Sequence, residues 1–315
     1  MSIIIRNHTT NDLPHLAAFI TRYLAAIPDA KLIYPAVYTY HPALEGGKNV
    51  FTAWDENEIL VGFAPAFPVP ATDAEAANEP HHIWTIVVAD PARGDGDAIR
   101  GALLARVLER ARVLTERFPA PRRVRLASDL IVSQKADIDF LLGQGFTHYA
   151  SMYVMTRDLN APLLDVSLPP GITVRHWKME TEAEQDQYLA AFNRCFPSNS
   201  KDRATLQFFM RSPLWGVGTA IAAFGTDNAL VASVLSYWDP DEKIGITDDV
   251  FVLPEWRGRG LARYLVNAGL AYQHTHGLEY ARLEVHANNP PAIAVYKATG
   301  YTIVNEEWLL GLYIR

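Results

Sequence analysis

The chain has 315 residues, 49% of them hydrophobic, and a formal charge of −7. Its length is about twice a common domain size of ~150 residues, so two domains are expected, each with enough apolar residues for its own core. The acidic balance argues against a nucleic-acid partner, the single cysteine excludes an intramolecular disulfide framework and fits a reducing compartment, and no apolar run approaches the ~18 residues of a membrane span.

Taken in order, Ile3-Ile4-Ile5-Arg6 reads as a strand. The same segment lacks the basic region and long apolar run of a secretion signal, so a cytoplasmic protein is expected. Asn11 and Asp12 can cap a helix that carries Leu13, Leu16, Phe19 and Ile20. Asn49 to Trp54 and Glu58 to Phe67 are strand-like runs around Asp55-Glu56-Asn57, a hairpin signal. Pro68 to Pro80, rich in Pro and Ala, reads as a loop. Ile83 to Val88 follows as a strand, and Ala92 to Ala98 enters a helix containing Leu103, Val107 and Leu114. Val124-Arg125-Leu126 supplies another strand. Asp158 to Gly171 then holds three prolines, two of them adjacent. This places the boundary between domains 1–158 and 171–315, with a linker at about 159–170.

In the second half, Thr181 to Phe196 is expected to be a helix with Tyr188, Leu189 and Phe192 on one face, and Leu206 to Met210 ends another. Cys195 stands between Phe192 and Phe196, the setting of a small buried hydrophobe rather than a nucleophile. Thr219 to Phe224 and Leu230 to Trp238 pair across Thr226-Asp227-Asn228, and Asp239-Pro240-Asp241 turns the chain into a run rich in β-branched residues from Ile244 to Leu253. A turn with Gly258 and Gly260 follows, then a helix whose Leu261, Leu265, Ala268 and Tyr272 keep helical spacing. After it come a strand, a helix and two strands, an α+β pattern. Two alternate glycines let backbone approach a ligand, and the first N–H groups of the helix lack internal partners at the positive end of its dipole. Such a loop suits an anion, most naturally a pyrophosphate.

A dinucleotide fingerprint would need a small residue where Arg263 stands, and no Gly-Lys-Ser/Thr is present for a Walker loop. What remains is Arg257-x-x-Gly260-x-Ala262. Downstream stand Leu283-Glu284-Val285, then Asn289-Pro290-Pro291-Ala292-Ile293-Ala294-Val295-Tyr296, then Gly300-Tyr301. In order and spacing, these segments resemble the acetyl-CoA signature of the GCN5-related N-acetyltransferases, over roughly Gly171 to Arg315. The resemblance implies acetyl-CoA as co-substrate, no metal, and direct transfer of acetyl to a primary amine of a small molecule or peptide N-terminus. It puts the CoA pyrophosphate on Arg257, Gly258, Arg259, Gly260, Leu261, Ala262 and Arg263. The pantetheine would lie along Val250, Phe251 and Val252, often where this strand of the family bulges away from its neighbour, and their backbone N–H groups could serve the thioester carbonyl. Asn289 would hydrogen-bond the pantetheine arm, cap its helix, or both. Tyr296 is implied as the acid for the leaving thiolate, against a plain core role for an aromatic at helical spacing from Ile293. Glu284 takes the position where ribosomal-protein acetyltransferases carry their base, against a merely solvated glutamate. Asp248 and Asp249 are the alternatives. Strand alternation would point them to opposite faces, so that at most one could face the acceptor.

Arg93-x-x-Gly96-x-Ala98 repeats the central loop, Gly145-Phe146 repeats Gly300-Tyr301, and Ile3-Ile4-Ile5-Arg6 matches Ile172-Thr173-Val174-Arg175. Two tandem domains of this family are therefore expected, each a mixed, mainly antiparallel sheet flanked by helices, a layout similar to that of mycothiol synthase. In the first copy, Asp95 and Asp97 put negative charge beside the loop, Leu141 stands for Tyr296, and Arg125 is matched to Glu284. That copy is expected to be degenerate, either shaping the protein or binding CoA without catalysis. A non-catalytic acyl-CoA sensor is the other class of function. His81 and His82 are strand neighbours that point apart rather than metal ligands, and Trp177, Trp215, Trp238 and Trp256 either line an acceptor cleft or pack.

Overall fold

The opening isoleucines form strand β1 (Ile4–Asn7), and Asp12 precedes helix α1 (Leu13–Ala26), whose buried Leu16, Phe19, Ile20 and Tyr23 recur at three- and four-residue spacing. The computed structural model describes residues 3–71, 79–119, 121–238 and 243–315. Within it two compact units form. The first comprises Met1–Ser151 with Glu307–Arg315, and the second Met152–Glu306.

In the first unit, α1 is followed by helix α2 (Pro35–Tyr40) and by strands β2 (Val50–Trp54) and β3 (Leu60–Pro65), the expected hairpin, with β1 on the outer side of β2. Strand β4 (Phe67–Val69) replaces the start of the expected loop because it pairs with β5 (His81–Trp84). The rest of that Pro/Ala segment, 72–78, and the Asp239-Pro240-Asp241 turn lie outside the described residues. Ile83 to Val88 is divided rather than continuous. β5 pairs in parallel with β7 (Val124–Ile131), whereas β6 (Val88–Ala89) pairs with β3. Helix α3 (Gly96–Thr115) buries Leu103, Val107 and Leu114, and helix α4 (Lys135–Gly143) leads into strand β8 (Thr147–Asp158).

β8 runs unbroken past Ser151, so the division between units precedes the proline-rich 159–170 segment. Its residues Met152–Asp158 pair with the second unit's strand β13. That unit continues through β9 (Thr173–Trp177), α5 (Glu182–Cys195), α6 (Arg203–Met210), α7 (Pro213–Val217), β10 (Thr219–Phe224), β11 (Leu230–Trp238) and β12 (Ile244–Val252). Helix α8 (Leu261–Thr275), β13 (Tyr280–His286), α9 (Pro290–Ala298) and the first residues of β14 (Thr302–Tyr313), as far as Glu306, complete it. Two terminal strands were expected; one long strand is found, and its Glu307–Tyr313 portion belongs to the first unit, where it pairs with β7. The second unit's strand order is β8-β13-β12-β11-β10-β9, antiparallel except for β12 with β13.

Thr181 starts α5 with a reciprocal cap. Its Oγ1 accepts from Glu184 N at 3.3 Å while Glu184 Oε2 accepts from Thr181 N at 3.0 Å, an arrangement that contributes about 1 kcal/mol. One face of the sheet packs Leu235, Phe251 and Leu253 against Tyr188 and Phe192 of α5. The other packs Val231, Val234 and Val250 against Leu261 and Leu265 of α8. The β12 strand is thus held from both sides, and each buried leucine contributes about 1.5–3 kcal/mol. Among the described residues, no helix is long and apolar enough to cross a membrane.

Candidate active site

β12 carries an irregularity at its centre. Ser233 of β11 lies opposite Phe251, but the next register pair is Leu235 with Asp248, so Val234 alone faces both Asp249 and Val250. The extra residue makes a β-bulge, and Asp249 takes a left-handed φ of 45°. For a residue with a side chain this conformation costs about 1–3 kcal/mol, the kind of strain retained where it serves a site. The bulge cancels strand alternation. Asp248 pairs across from Leu235, and Asp249 meets Tyr188 of α5, so both carboxylates lie on the α5 side. The expectation that at most one of them could face an acceptor is therefore corrected.

The two carboxylates are held separately. Tyr237 donates its hydroxyl to Asp248 Oδ2 at 2.9 Å, and Asp249 N donates to Asp248 Oδ1 at 2.8 Å. Tyr188 donates to Asp249 Oδ2 at 2.8 Å, and the Lys201 ammonium pairs with the same oxygen. Burial first, and then the charge of Asp249, push the Asp248 pKa up. Tyr188, Lys201 and Tyr237 carry no motif, and a sequence scan misses them; only the tyrosine's place on the buried face of α5 hinted at a role.

Beside the bulge the parallel ladder ends. The parallel register of β12 with β13 runs from Ile244/Tyr280 to Ile246/Arg282 and stops there among the described residues. From Thr247 to Val252, that edge of β12 has no paired strand among the described residues, which suits an extended ligand that bonds to backbone. Phe251 and Leu261 have buried side chains and offer only main-chain groups, while Val250 and Val252 are half-buried.

The loop after β12 is open. Gly258 and Gly260 have φ of 75° and 83°, and a Cβ on either would meet nothing within 4 Å, so these positions need glycine for conformation rather than for space. The first intrahelical bond of α8 runs from Tyr264 N to Gly260 O at 3.0 Å, which leaves the N–H groups of Leu261, Ala262 and Arg263 without helical acceptors. Arg257 donates from Nε to Val252 O at 3.0 Å, closing the loop base. Arg259 lies over the Trp256 ring at 4.6 Å and donates to Glu255 O, whereas Arg263 is exposed at the helix mouth. Cys195 is half-buried, its Sγ 3.7 Å from Val252 O, and burial pushes its thiol pKa up.

Tyr296 sits on α9 with its ring 7% exposed and 6.1 Å from the Tyr301 ring. Its hydroxyl has no hydrogen-bond partner among the described residues. Burial pushes its pKa up and the Asp248 charge pushes it further, so the phenol keeps its proton at neutral pH. The carboxylate that bears on Tyr296 is thus Asp248 rather than Glu284. Glu284 projects from β13 beside Arg282, 3.5 Å from its guanidinium, and acts electrostatically on Tyr237. Asn289 caps α9, its Oδ1 accepting from Ala292 N at 3.3 Å. Trp177, Trp215 and Trp238 are buried in the cores, and Trp256 is half-buried beneath Arg259.

In the matching loop of the first unit the charges pair with one another. Arg93 makes a two-point pair with Asp95 at 2.8 Å for each contact, and Arg100 bonds Asp97 and Asp137 at 3.0 and 2.6 Å. Neither Gly94 nor Gly96 is left-handed. The gapless count that matches Gly145 to Gly300 sets Asp129, not Arg125, against Glu284, and Asp129 is paired with Lys31 at 2.9 Å. His81 accepts from Ala71 N at 2.9 Å, and His82 stacks on Trp84 at 5.3 Å.

A profile described as the Acetyltransferase (GNAT) family matches residues 177–301. A mycothiol acetyltransferase of Streptomyces bingchenggensis is 30% identical over 271 residues, 82% of this chain and 79% of that protein. A mycothiol acetyltransferase of a Nocardioides species is 28% identical over 179 residues, 52% of this chain and 61% of that protein. A tandem GNAT protein from the clavulanic acid biosynthesis pathway, 14% identical, matches in structure with a TM-score of 0.70 over 99% of this chain and 98% of that one, a likeness of fold. The chain therefore belongs to the GNAT family of acetyl-CoA-dependent N-acetyltransferases.

Proposed function

We propose that the second unit moves the acetyl group of acetyl-CoA directly to the primary amine of a small molecule. The observation that carries this reading is the junction at the β12 bulge. There an unpaired edge of β12 and an open loop at a helix N-terminus follow on one strand with Asp248, and a proton-bearing Tyr296 is within that carboxylate's field. The N–H groups at the start of α8, with Arg257, Arg259 and Arg263 around them, suit the pyrophosphate of CoA, and the edge of β12 from Val250 to Val252 suits the pantetheine.

An alkyl ammonium with a pKa of about 10 must lose a proton before it can attack. In this reading Asp248 accepts that proton. The freed nitrogen bonds to the thioester carbonyl carbon, and the resulting oxyanion is met by β12 backbone N–H groups. Collapse breaks the C–S bond, Tyr296 protonates the departing sulfur, and the second proton of the nitrogen returns through water to the phenolate. Glu284 lies on the same face and adds negative charge that favours a cationic acceptor. The first unit contributes shape, its loop already neutralised by Arg93–Asp95 and Arg100–Asp97.

Turnover against an amine panel tests the acceptor class. Aminoglycosides, polyamines, amino acids and peptide N-termini belong in the panel, and the relatives' name, mycothiol acetyltransferase, adds amines related to mycothiol. Binding without turnover on any amine would favour an acyl-CoA sensor. For the loop, Gly260→Asp puts bulk and negative charge where the pyrophosphate would sit. Acetyl-CoA affinity is expected to fall more than tenfold, about 1.4 kcal/mol, by calorimetry. Gly260→Ala, which carries the left-handed strain without the charge, separates the two effects. An unchanged dissociation constant in Gly260→Asp would remove CoA from this loop.

A further inference from the structure

Two adjacent carboxylates at a reaction centre raise the question of which one handles protons. The structure answers it through a lysine outside every motif. Lys201 follows α5 in an irregular segment, yet its main chain is clamped at both ends by one side chain. Lys201 N donates to Asn193 Oδ1 at 2.8 Å, and Asn193 Nδ2 donates to Lys201 O at 2.9 Å. Its ammonium lies 4.3 Å from the centre of the Phe192 ring and pairs with Asp249 Oδ2. A flexible side chain is thereby fixed by an amide clamp, a ring and an ion pair, with Asp249 itself 9% exposed and fixed in the bulge.

We propose that Lys201 is a positioning residue for acetyl transfer: by pairing with Asp249 it makes that carboxylate the anchor of the bulge and leaves Asp248 as the one that exchanges protons with the acceptor. The inference rests on Asp248 as base, the reading given above. Six groups act around Asp248. Asp249 is on its own strand, Tyr237 on β11, Tyr188 on α5, Lys201 after α5 and Tyr296 on α9, while Glu284 on β13 reaches Tyr237. Among the described residues, Lys201 is the cation of this set, because Arg282 is paired with Glu284.

The charges predict shifts of opposite sign in the acidic limb of the kcat/KM profile, where activity falls as the base becomes protonated. Lys201→Met removes positive charge, favours the protonated base, and is expected to move the limb up by about one pH unit. Asp249→Asn removes negative charge and is expected to move it down by a similar amount. Lys201→Arg should restore the limb to within a few tenths of wild type. Asn193→Ala releases the clamp without touching the charges, and should move the limb in the Lys201→Met direction by less; it also serves if Lys201→Met fails to fold. A purely structural lysine would lower the plateau and leave the limb in place. A limb that stays put, or moves down, in Lys201→Met or Asn193→Ala overturns the proposal. Asp248→Asn keeps this separate from the base assignment. If the limb persists there, the base is wrongly assigned and the proposal falls with it. Should it vanish there while Lys201→Met leaves it unmoved, only the proposal falls.

Discussion

Asp248→Asn is expected to lower kcat/KM for the amine by about three orders of magnitude, within the range of 10²–10⁴ found for a lost general base. Asparagine fills the same volume; its Oδ1 can still accept from Asp249 N while its Nδ2 donates to the Tyr237 hydroxyl oxygen, so the bulge should persist and acetyl-CoA affinity should hold. What is lost is the acceptor of the ammonium proton. The residual rate should then rise with pH toward the amine pKa of about 10, because the free amine itself becomes more abundant. Glu284→Gln is the comparison that matters. Glu284 is engaged by Arg282 and exerts its charge on Tyr237, so its loss should cost only a few-fold. A deficit in Glu284→Gln as large as in Asp248→Asn would return the base role to the glutamate.

Tyr296→Phe should lower kcat by about two orders of magnitude while acetyl-CoA affinity barely changes. The ring is buried and supports the α9 core, so phenylalanine keeps the packing. The hydroxyl has no hydrogen bond among the described residues whose loss could destabilise the unit. A thiol with a pKa of about 8.5 leaves better once protonated, and the raised phenol pKa keeps the proton available across the neutral range. Wild-type turnover in Tyr296→Phe, with a confirmed amine acceptor, would assign the proton to water and leave the tyrosine as packing.

The portions of this site that were legible in the sequence are local. Gly258 and Gly260 announce a left-handed turn, the apolar spacing from Leu261 announces α8, and Asn289 announces the α9 cap, because each depends on residues within one or two turns. The bulge was implied only by the resemblance to a family whose strand often bulges here beside the pantetheine; its place is set by the register between β11 and β12, and nothing in Asp248-Asp249-Val250 distinguishes it from a regular strand. Tyr188 and Lys201 reach Asp249 from 61 and 48 positions away, so their convergence is a property of the fold. The terminal strand was read as two because a single strand serving β7 of the first unit at one end is a long-range pairing. Splitting of Ile83 to Val88 has the same origin, since β5 and β6 answer to different partners.

The central claim is that the second unit, through its open loop, is the acetyl-CoA site of the enzyme, and steady-state acetyl transfer by Gly260→Asp and Gly96→Asp, assayed together, tests it most directly. Gly96 begins α3 with ordinary helical geometry, and a Cβ there lies 3.0 Å from an Arg100 Nη1 that can pair with a new carboxylate, so this variant is expected to fold. The KM for acetyl-CoA is expected to rise more than tenfold in Gly260→Asp, with turnover within a few-fold of wild type in Gly96→Asp. Loss of activity in a well-folded Gly96→Asp protein, with wild-type kinetics in Gly260→Asp, would contradict it and assign the transfer to the first unit.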